Sequence, residues 1–263
     1  EDGVSALRDY HMHTCFCDGK SDMESMVVSA VEKGLECVGI AVHSYTWFDE
    51  SYCISRENIP RFISLAGEMK EKYAERIRVF CGVEQDFYSE ESTEGFDYVI
   101  GSVHYLKIAD RFFPVDEDAP TQRSIIREVF DGDAMGMVRS YFDTVGEVYE
   151  RTHCDIVGHF DLVTKFIETD PAFDTASDGY LRSWKEAAER LLPSKALFEI
   201  NTGAISRGYR SGPYPSEDII SYLSGRGAGL ILSSDAHSPE DIAYGFGTYG
   251  HLATAEFDPS AKH

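Results

Sequence analysis

The sequence predicts a single α/β domain in which seven parallel strands form a closed or nearly closed barrel. Strand-like and helix-like segments alternate along the whole chain, which is typical of βα units around a mainly parallel sheet. The length of 263 residues is common for single α/β barrels, and 43% hydrophobic residues are sufficient for a large core. Because no repeat, low-complexity tract or linker divides the chain, we expect residues 1–263 to form one domain.

Seven short segments rich in apolar residues predict the strands, in the order in which they occur. They are residues 6–13, 37–43, 78–87, 98–104, 155–160, 196–201 and 229–234. Amphipathic segments between most of them predict helices at residues 22–33, 58–74, 134–152, 178–192 and 215–225. Three irregular stretches each follow a predicted strand, where barrel enzymes place their working loops: residues 44–54, 107–122 and 203–215.

The composition excludes several classes of partner. The formal charge of −22, from 46 acidic and 24 basic residues without a basic cluster, disfavours binding to nucleic acid. No apolar run approaches the ~20 residues that a membrane span requires, and Glu1-Asp2-Gly3 does not resemble a secretory leader. The six scattered cysteines are typical of reduced thiols, so we expect a cytoplasmic protein without nucleic-acid or membrane partners.

The first predicted strand ends with His11-Met12-His13. Side chains alternate between the two faces of a strand, so the two imidazoles are expected on one face and Met12 on the other. Paired neutral imidazoles are good ligands for Zn, Fe, Ni or Mn. In the alternative interpretation, one histidine caps the strand and the other faces solvent.

The same residue types recur at the ends of later predicted strands. They are His43, Glu84, His104, His159, Asp235 and His237, so that six of the nine histidines lie at strand ends. An isolated histidine there is usually a capping or solvated residue, but a barrel brings the C-terminal ends of all its strands to one rim. The pattern therefore predicts a metal centre built from separate segments of the chain.

Other polar residues are weaker candidates for this centre. Asp18 follows the histidine pair in an Asp-Gly sequence, and its carboxylate could reach the rim or belong to an ordinary turn. His153 is expected at the surface on the side opposite the rim, and His251 and His263 have no repeated context.

Together these motifs resemble those of the polymerase and histidinol phosphatase (PHP) superfamily. Its ligand pattern occurs in order over nearly the whole chain, at His11, His13, Asp18, His43, Glu84, His104, His159, Asp235 and His237. The resemblance implies a distorted (β/α)7 barrel with three divalent metal ions, which are Zn, Fe or Mn. It implies one ion on His11, His13, Glu84 and Asp235, a second on Glu84, His104 and His159, and a third on Asp18, His43 and His237.

Three segments are similar to the stand-alone histidinol-phosphate phosphatases of that superfamily. They are residues 101–106, 157–167 and 199–203, the last of which leads to Arg207. The chain has Cys17-Asp18-Gly19 where many of these enzymes have Cys-Pro-His-Gly, which leaves the ligand of the third metal open. The similarity implies hydrolysis of L-histidinol phosphate, a small phosphorylated metabolite of histidine biosynthesis, by metal-activated water.

Catalytic roles are predicted for three further residues. Arg207 would hold phosphate oxygens, Lys165 would add a second cationic contact, and Asp161 or a metal-held water would protonate the leaving alcohol. Arg207 and Lys165 could instead be solvated. Glu199 and Asn201 could orient metal ligands, and four residues of the loop after the second strand would suit a cationic substrate: Tyr45, Trp47, Asp49 and Glu50.

Two other functions fit the same residues. The first is a PHP-type phosphoesterase for another ester, such as a nuclease, a nucleotide phosphodiesterase or a phosphotyrosine phosphatase. The second is a non-catalytic module that uses metals for stability. Structural metal sites are usually closed and four-coordinate, whereas this ligand set is shared among ions and favours open positions for water.

Overall fold

The computed structural model describes residues 7–262. The start of the first predicted strand at Ala6, the interpretation of Glu1-Asp2-Gly3, and His263 lie outside these residues. Within residues 7–262, no helix combines the length and the hydrophobicity that crossing a membrane requires.

Seven parallel strands form the main sheet, with neighbours in the order β1-β2-β3-β4-β7-β8-β9. They are β1 (Arg8–Asp9), β2 (Cys37–His43), β3 (Arg78–Asp86), β4 (Tyr98–Ser102), β7 (Ile156–Val157), β8 (Leu197–Asn201) and β9 (Leu230–Ser233). Beyond the ends of β1 and β9, Met12 pairs with Ala236 in a parallel bridge, and the His13 amide donates to the Ala236 carbonyl at 2.8 Å. The predicted nearly closed barrel of seven strands is therefore confirmed.

The first strand is shorter than predicted. Its ladder covers only Arg8–Asp9, because Tyr10 packs with Phe80 and Tyr98 inside the barrel while His11 also faces inward. Strict alternation is thus broken between these two neighbours, and the buried Asp9 carboxylate accepts the His11 amide at this irregularity. After the break, His11 and His13 point to one side and Met12 packs in the outer core, as predicted.

Two layers of apolar side chains hold the barrel together. A small interior cluster contains strand residues such as Phe80, Tyr98 and Ile231 together with Tyr10, which directly follows β1. A larger cluster packs the outward-facing strand residues against the helices, with Val38 and Ile40 on one side and Phe62 on the other. The alternation of inward and outward residues along each strand determines which side chains reach the rim.

The helices cover the outside of the barrel. They are α1 (Met23–Glu32), α2 (Ile59–Lys72), α3 (Ala119–Val129), α4 (Ala134–Gly146), α5 (Val148–Thr152), α6 (Asp178–Leu191), α7 (Gly203–Ser206), α8 (Glu217–Gly225) and α9 (Phe246–Tyr249). Asp22, Asp118, Asp133 and Ser177 cap four of them with a side-chain oxygen, which supports these boundaries. The single helix predicted for residues 134–152 is divided into α4 and α5.

The stretch of residues 107–122 is not irregular, contrary to the prediction. It contains most of an antiparallel hairpin, β5 (Tyr105–Ile108) with β6 (Arg111–Pro114), and the start of α3. The two-residue turn consists of Ala109 and Asp110, and Ala109 adopts a φ of 52°. Since this turn lacks the Gly or Asn that usually signals positive φ, a hairpin was not predictable from the residue types.

Candidate metal centre

Glu84 lies at the centre of the predicted rim, near the end of β3, and only 1% of it is exposed. Five imidazoles surround its two carboxylate oxygens. The Nε2 atoms of His159 and His104 lie 2.9 and 3.2 Å from Oε1. On Oε2 the distances are 3.0 Å from His43 Nδ1, 3.1 Å from His11 Nε2 and 3.2 Å from His13 Nε2. A single carboxylate thus joins five imidazoles from four separate segments of the chain.

Asp235 provides a second carboxylate on the same side of the barrel. Its Oδ1 lies 3.2 Å from His13 Nε2 and 3.5 Å from His11 Nε2. The residue follows β9 with a φ of 50°, a left-handed conformation that aspartate tolerates better than most residues. This turn directs the carboxylate back over the barrel end.

Asp18, His43 and His237 form a more accessible group at the edge of the centre. The Asp18 carboxylate lies 3.4 Å from His43 Nε2 and 3.3 Å from His237 Nε2. A Cβ on Gly19 would lie 2.5 Å from the backbone of His13 and Thr14, so only glycine allows the turn to fold back this closely. The Asp-Gly sequence therefore forms a tight turn and also brings a carboxylate to the rim.

Neighbouring cationic groups determine the ionisation of the two buried carboxylates. Burial alone would raise the pKa of the Glu84 carboxyl, but the imidazoles of His43, His11 and His104 outweigh burial and hold this pKa well below its usual value. Asp235 has a pKa well below its usual value for the same kind of reason, with His11 and Arg207 opposing burial. Both carboxylates therefore stay ionised although they are buried.

The histidines respond in opposite directions. Burial would lower the pKa of His11, but Asp235, Glu199 and Glu84 together raise it well above the usual value. Burial and the neighbouring imidazoles of His43 and His237 lower the pKa of His13. His13 is therefore a neutral imidazole, which is the form that coordinates a metal ion.

The donor set fits metal ions. His13 Nε2 is buried and lies 3.2 Å from both the Glu84 and the Asp235 carboxylates, but it has no hydrogen-bond partner in the described part of the chain. An imidazole nitrogen that points at two carboxylates in this way is the arrangement that a shared cation would complete. Three groups have their ligand atoms within 4.8 Å of one another: His13, Asp18, His43 and His237; His11, His13 and Glu84; and His43, Glu84 and His104. The centre can therefore hold several metal ions.

A cavity of about 370 Å³ opens above this centre, and Arg207 lines it. The Arg207 guanidinium donates from Nη1 to the Asp235 carbonyl at 2.7 Å, and its Nη2 lies 3.5 Å from the Asp235 carboxylate. A Cβ on Gly203 would lie 2.9 Å from Nη2, so glycine at this position leaves the space for the guanidinium. The fold thus fixes one cationic side chain directly beside the metal-type ligands.

Lys165 and Asp161 differ in their positions. Lys165 lines the cavity, but its Nζ donates to the Asp116 carbonyl at 2.7 Å and lies 4.6 Å from the Tyr209 ring centre. Asp161 does not line the cavity. Its fully buried carboxylate accepts the Ser216 amide at 3.0 Å and lies 3.6 Å from the Arg210 guanidinium. The structure therefore brings Lys165, but not Asp161, to the cavity.

Among the four rim residues that the sequence singled out, only Asp49 lines the cavity. Its carboxylate accepts hydrogen bonds from Tyr105 at 2.6 Å and from the Ser51 hydroxyl at 2.6 Å. Tyr45 and Glu50 bond to each other, and Trp47 is 56% exposed beside Phe112. His153 and His251 are exposed and lie outside the cavity lining, as expected.

Sequence reasoning missed several residues that line the cavity. They are Tyr52, Tyr105, Asp116, Glu117, Tyr209 and Tyr214. Most belong to connections whose paths are set by tertiary packing, so spacing along the chain carries no signal for them. Tyr105 could have been predicted as a lining residue, because it directly follows His104 in the sequence.

The profile of the PHP domain family matches residues 9–205 of the chain. A "Probable histidinol-phosphatase" of Deinococcus radiodurans is 27% identical over 256 residues, which cover 92% of this chain and 91% of the relative.

Two solved structures share the fold. A protein of Listeria monocytogenes superposes with a TM-score of 0.80 at 22% identity, over 92% of this chain and all of the other. The histidinol phosphate phosphatase of Lactococcus lactis, in complex with Zn, L-histidinol and phosphate, superposes with a TM-score of 0.71 at 20% identity, over 93% and 91% of the two chains.

Proposed function

Since the chain belongs to the PHP domain family, we propose that it is a metal-dependent phosphomonoesterase that hydrolyses L-histidinol phosphate to L-histidinol and phosphate. One observation carries the proposal: nine metal-type side chains from seven segments meet around Glu84 and Asp235, with Arg207 beside them in a small cavity. The names of the Deinococcus and Lactococcus proteins support this choice of ester.

Three ligand sets are proposed for divalent Zn, Fe or Mn, all of which accept imidazole and carboxylate ligands. They are His11, His13, Glu84 and Asp235 for the first ion, Glu84, His104 and His159 for the second, and Asp18, His43 and His237 for the third. The charge of three divalent ions exceeds that of the three ligand carboxylates. A phosphate dianion can therefore be attracted to this centre although the whole chain carries −22.

The metal ions and Arg207 have different roles toward the phosphate group of the substrate. When bound, divalent ions activate water for attack on phosphorus and neutralise charge on the phosphoryl oxygens. Arg207 offers a planar guanidinium for two parallel bonds to phosphate oxygens, and its bond to the Asp235 carbonyl fixes its orientation. Positioning is the main contribution of the protein, since the transition state of phosphoryl transfer is loose.

The outer part of the cavity suits the rest of the substrate. Histidinol phosphate carries an ammonium and an imidazole, which are attracted to carboxylates and to aromatic faces. Asp49, Asp116 and Glu117 supply carboxylates there, and Tyr52 and Tyr105 supply rings. A cavity of about 370 Å³ limits the substrate to a small ester.

Substrate comparison tests this proposal. The protein loaded with Mn, Fe or Zn is expected to cleave histidinol phosphate far faster than p-nitrophenyl phosphate or a dinucleotide. His11→Ala and Asp235→Ala should abolish turnover while the circular dichroism spectrum stays unchanged. Equal rates on all three esters would indicate a general phosphoesterase, and no turnover by the loaded protein would leave a binding module.

We further propose that residues 1–263 act as one domain in the cytoplasm. All six cysteines, each in the described part of the chain, are free thiols, which suits a reducing compartment.

Burial raises the pKa of the Cys17 thiol to about 12, so this cysteine beside His13 stays protonated.

A further inference from the structure

We propose that Asp86 and Glu199 are positioning residues that hold two of the metal ligands, His104 and His11, with Nε2 directed at the ions. The inference rests on the proposed function and extends it to residues outside the predicted ligand sets. Each carboxylate contacts the Nδ1 atom of one imidazole, on the side of the ring opposite to Glu84.

Asp86 is buried at the end of β3, two residues after Glu84, so both side chains leave the strand on the same face. Its Oδ1 lies 3.1 Å from His104 Nδ1, while His104 Nε2 lies 3.2 Å from Glu84 Oε1. The carboxylate is itself fixed, because Oδ1 also accepts the His104 amide and Oδ2 accepts the Tyr88 amide at 2.8 Å. Ring and carboxylate therefore have a single mutual orientation.

Glu199 repeats this arrangement on the opposite side of the centre. The residue lies on β8 without measurable exposure, and its Oε2 lies 2.8 Å from His11 Nδ1. Its Oε1 accepts the His159 amide at 2.6 Å and the Asn201 side-chain amide at 2.8 Å. Glu199 thus supports one metal ligand through the ring and another through the backbone.

These contacts have a defined chemical consequence. A carboxylate that accepts the Nδ1–H bond fixes the tautomer, so the Nε2 lone pair is free for a metal ion and becomes more basic. Loss of such a partner typically weakens metal binding by about 10- to 100-fold.

Two of the other imidazoles have no carboxylate at Nδ1. His13 Nδ1 lies 3.5 Å from the Cys17 thiol, and His159 Nδ1 has no hydrogen-bond partner within residues 7–262. His43 Nδ1 instead faces Glu84 itself at 3.0 Å, and His237 Nδ1 lies 2.9 Å from the Asp235 carbonyl. Within residues 7–262, Asp86 and Glu199 are thus the carboxylates outside the proposed ligand sets that contact the Nδ1 atom of a proposed ligand.

Metal affinity separates this role from a purely structural one. Asp86→Asn and Glu199→Gln keep the side-chain shape and remove the charge, and Asp161→Asn is the matched control. Asp161 is also buried and accepts a backbone amide, but it contacts no proposed ligand. Each protein is loaded with Zn, and its affinity is measured by competition with a chelator, together with the number of ions per chain and the melting temperature without metal.

We expect Asp86→Asn and Glu199→Gln to bind Zn about 10- to 100-fold more weakly than the unmodified protein, whereas Asp161→Asn keeps its affinity. Unchanged affinity in both variants would overturn the inference and leave the proposed function intact. If the unmodified protein itself binds no Zn, the proposed function fails as well.

A second measurement does not depend on the folding of any variant. In the unmodified protein, loaded with Zn and labelled with ¹⁵N-histidine, His11 and His104 should each show a protonated Nδ1 and a coordinated Nε2. Coordination through Nδ1 in either ring would overturn the inference.

Discussion

The metal centre has two parts that the fold supports in different ways. The inner set consists of His11, Glu84, His104, His159 and Asp235, whose side chains are at most 10% exposed. The outer set consists of Asp18, His43 and His237, in which the Asp18 and His237 side chains are 35% and 18% exposed, whereas His43, at the end of β2, is 9% exposed and also contacts Glu84. His13 lies between the sets and contacts both.

The positions of the two sets in the fold explain why their side chains differ in exposure. The inner residues lie on strands or directly beyond them, where parallel pairing fixes the backbone, and Glu199 and Asp86 orient two of their rings. In the outer set, Asp18 lies in a turn that depends on Gly19. The comparison leads us to expect tightly held ions in the inner set and a more exchangeable ion in the outer set.

Among the substitutions that keep the size of the side chain, Glu84→Gln should have the largest effect, since five imidazoles share this carboxylate. We expect turnover to fall by at least about 10³-fold, because the charge that two ions share is lost. Metal content and turnover of the purified variant check this expectation. Glu68→Gln, on the exposed face of α2, is the control, and a variant that keeps all its ions would contradict the central role of Glu84.

Asp18→Asn changes a ligand of the outer set only. We expect the protein to lose one ion per chain and to keep the ions of the inner set. Turnover should fall by about 10- to 100-fold, less than for Glu84→Gln, since the inner ligands are intact. Elemental analysis after dialysis measures the ions, and loss of all of them would show that the two sets are not independent.

Arg207→Lys is expected to act on the substrate and not on the metals. Lysine keeps the positive charge but loses the bidentate geometry, which corresponds to about 1–2 kcal/mol and hence to a roughly 10-fold higher KM. Steady-state kinetics with histidinol phosphate provide the test. Near-normal KM would remove Arg207 from phosphate binding.

Acid should release ions from the inner set. Burial lowers the pKa of His11 and His104, but neighbouring carboxylates outweigh burial and raise both well above the usual value in the metal-free protein. These rings therefore carry protons at neutral pH, and a metal ion must displace them, so affinity rises with pH and falls in acid. Calorimetry in buffers of different ionisation enthalpy should detect proton release on Zn binding; binding without proton release would contradict this coupling.

Much of the fold was predictable from the sequence because each parallel strand is a short apolar segment. Strands β2 to β4 and β7 to β9 lie within the predicted ranges. The hairpin of β5 and β6 was missed because its turn depends on a positive φ at Ala109, for which the residue type gives no indication. The shortening of β1 accompanies the inward packing of both Tyr10 and His11, which is a tertiary feature.

The part of the metal centre that lies at the ends of the strands was predictable from the sequence. Eight of the nine proposed ligands meet because parallel strands bring their C-terminal ends together, and Asp18 joins them from the turn at Gly19. Asp161 is one of two candidates for protonating the leaving alcohol, but β7 ends at Val157 and the Asp161 carboxylate faces the Ser216 amide and Arg210 outside the cavity lining. Asp86 could have been found, since it shares a strand face with Glu84.

The most direct test is anomalous X-ray scattering from crystals of the protein soaked in Zn. We predict three peaks, two of them adjacent to Glu84 and the third between Asp18, His43 and His237. Peaks elsewhere in the molecule, or no peak beside Glu84, would contradict this prediction.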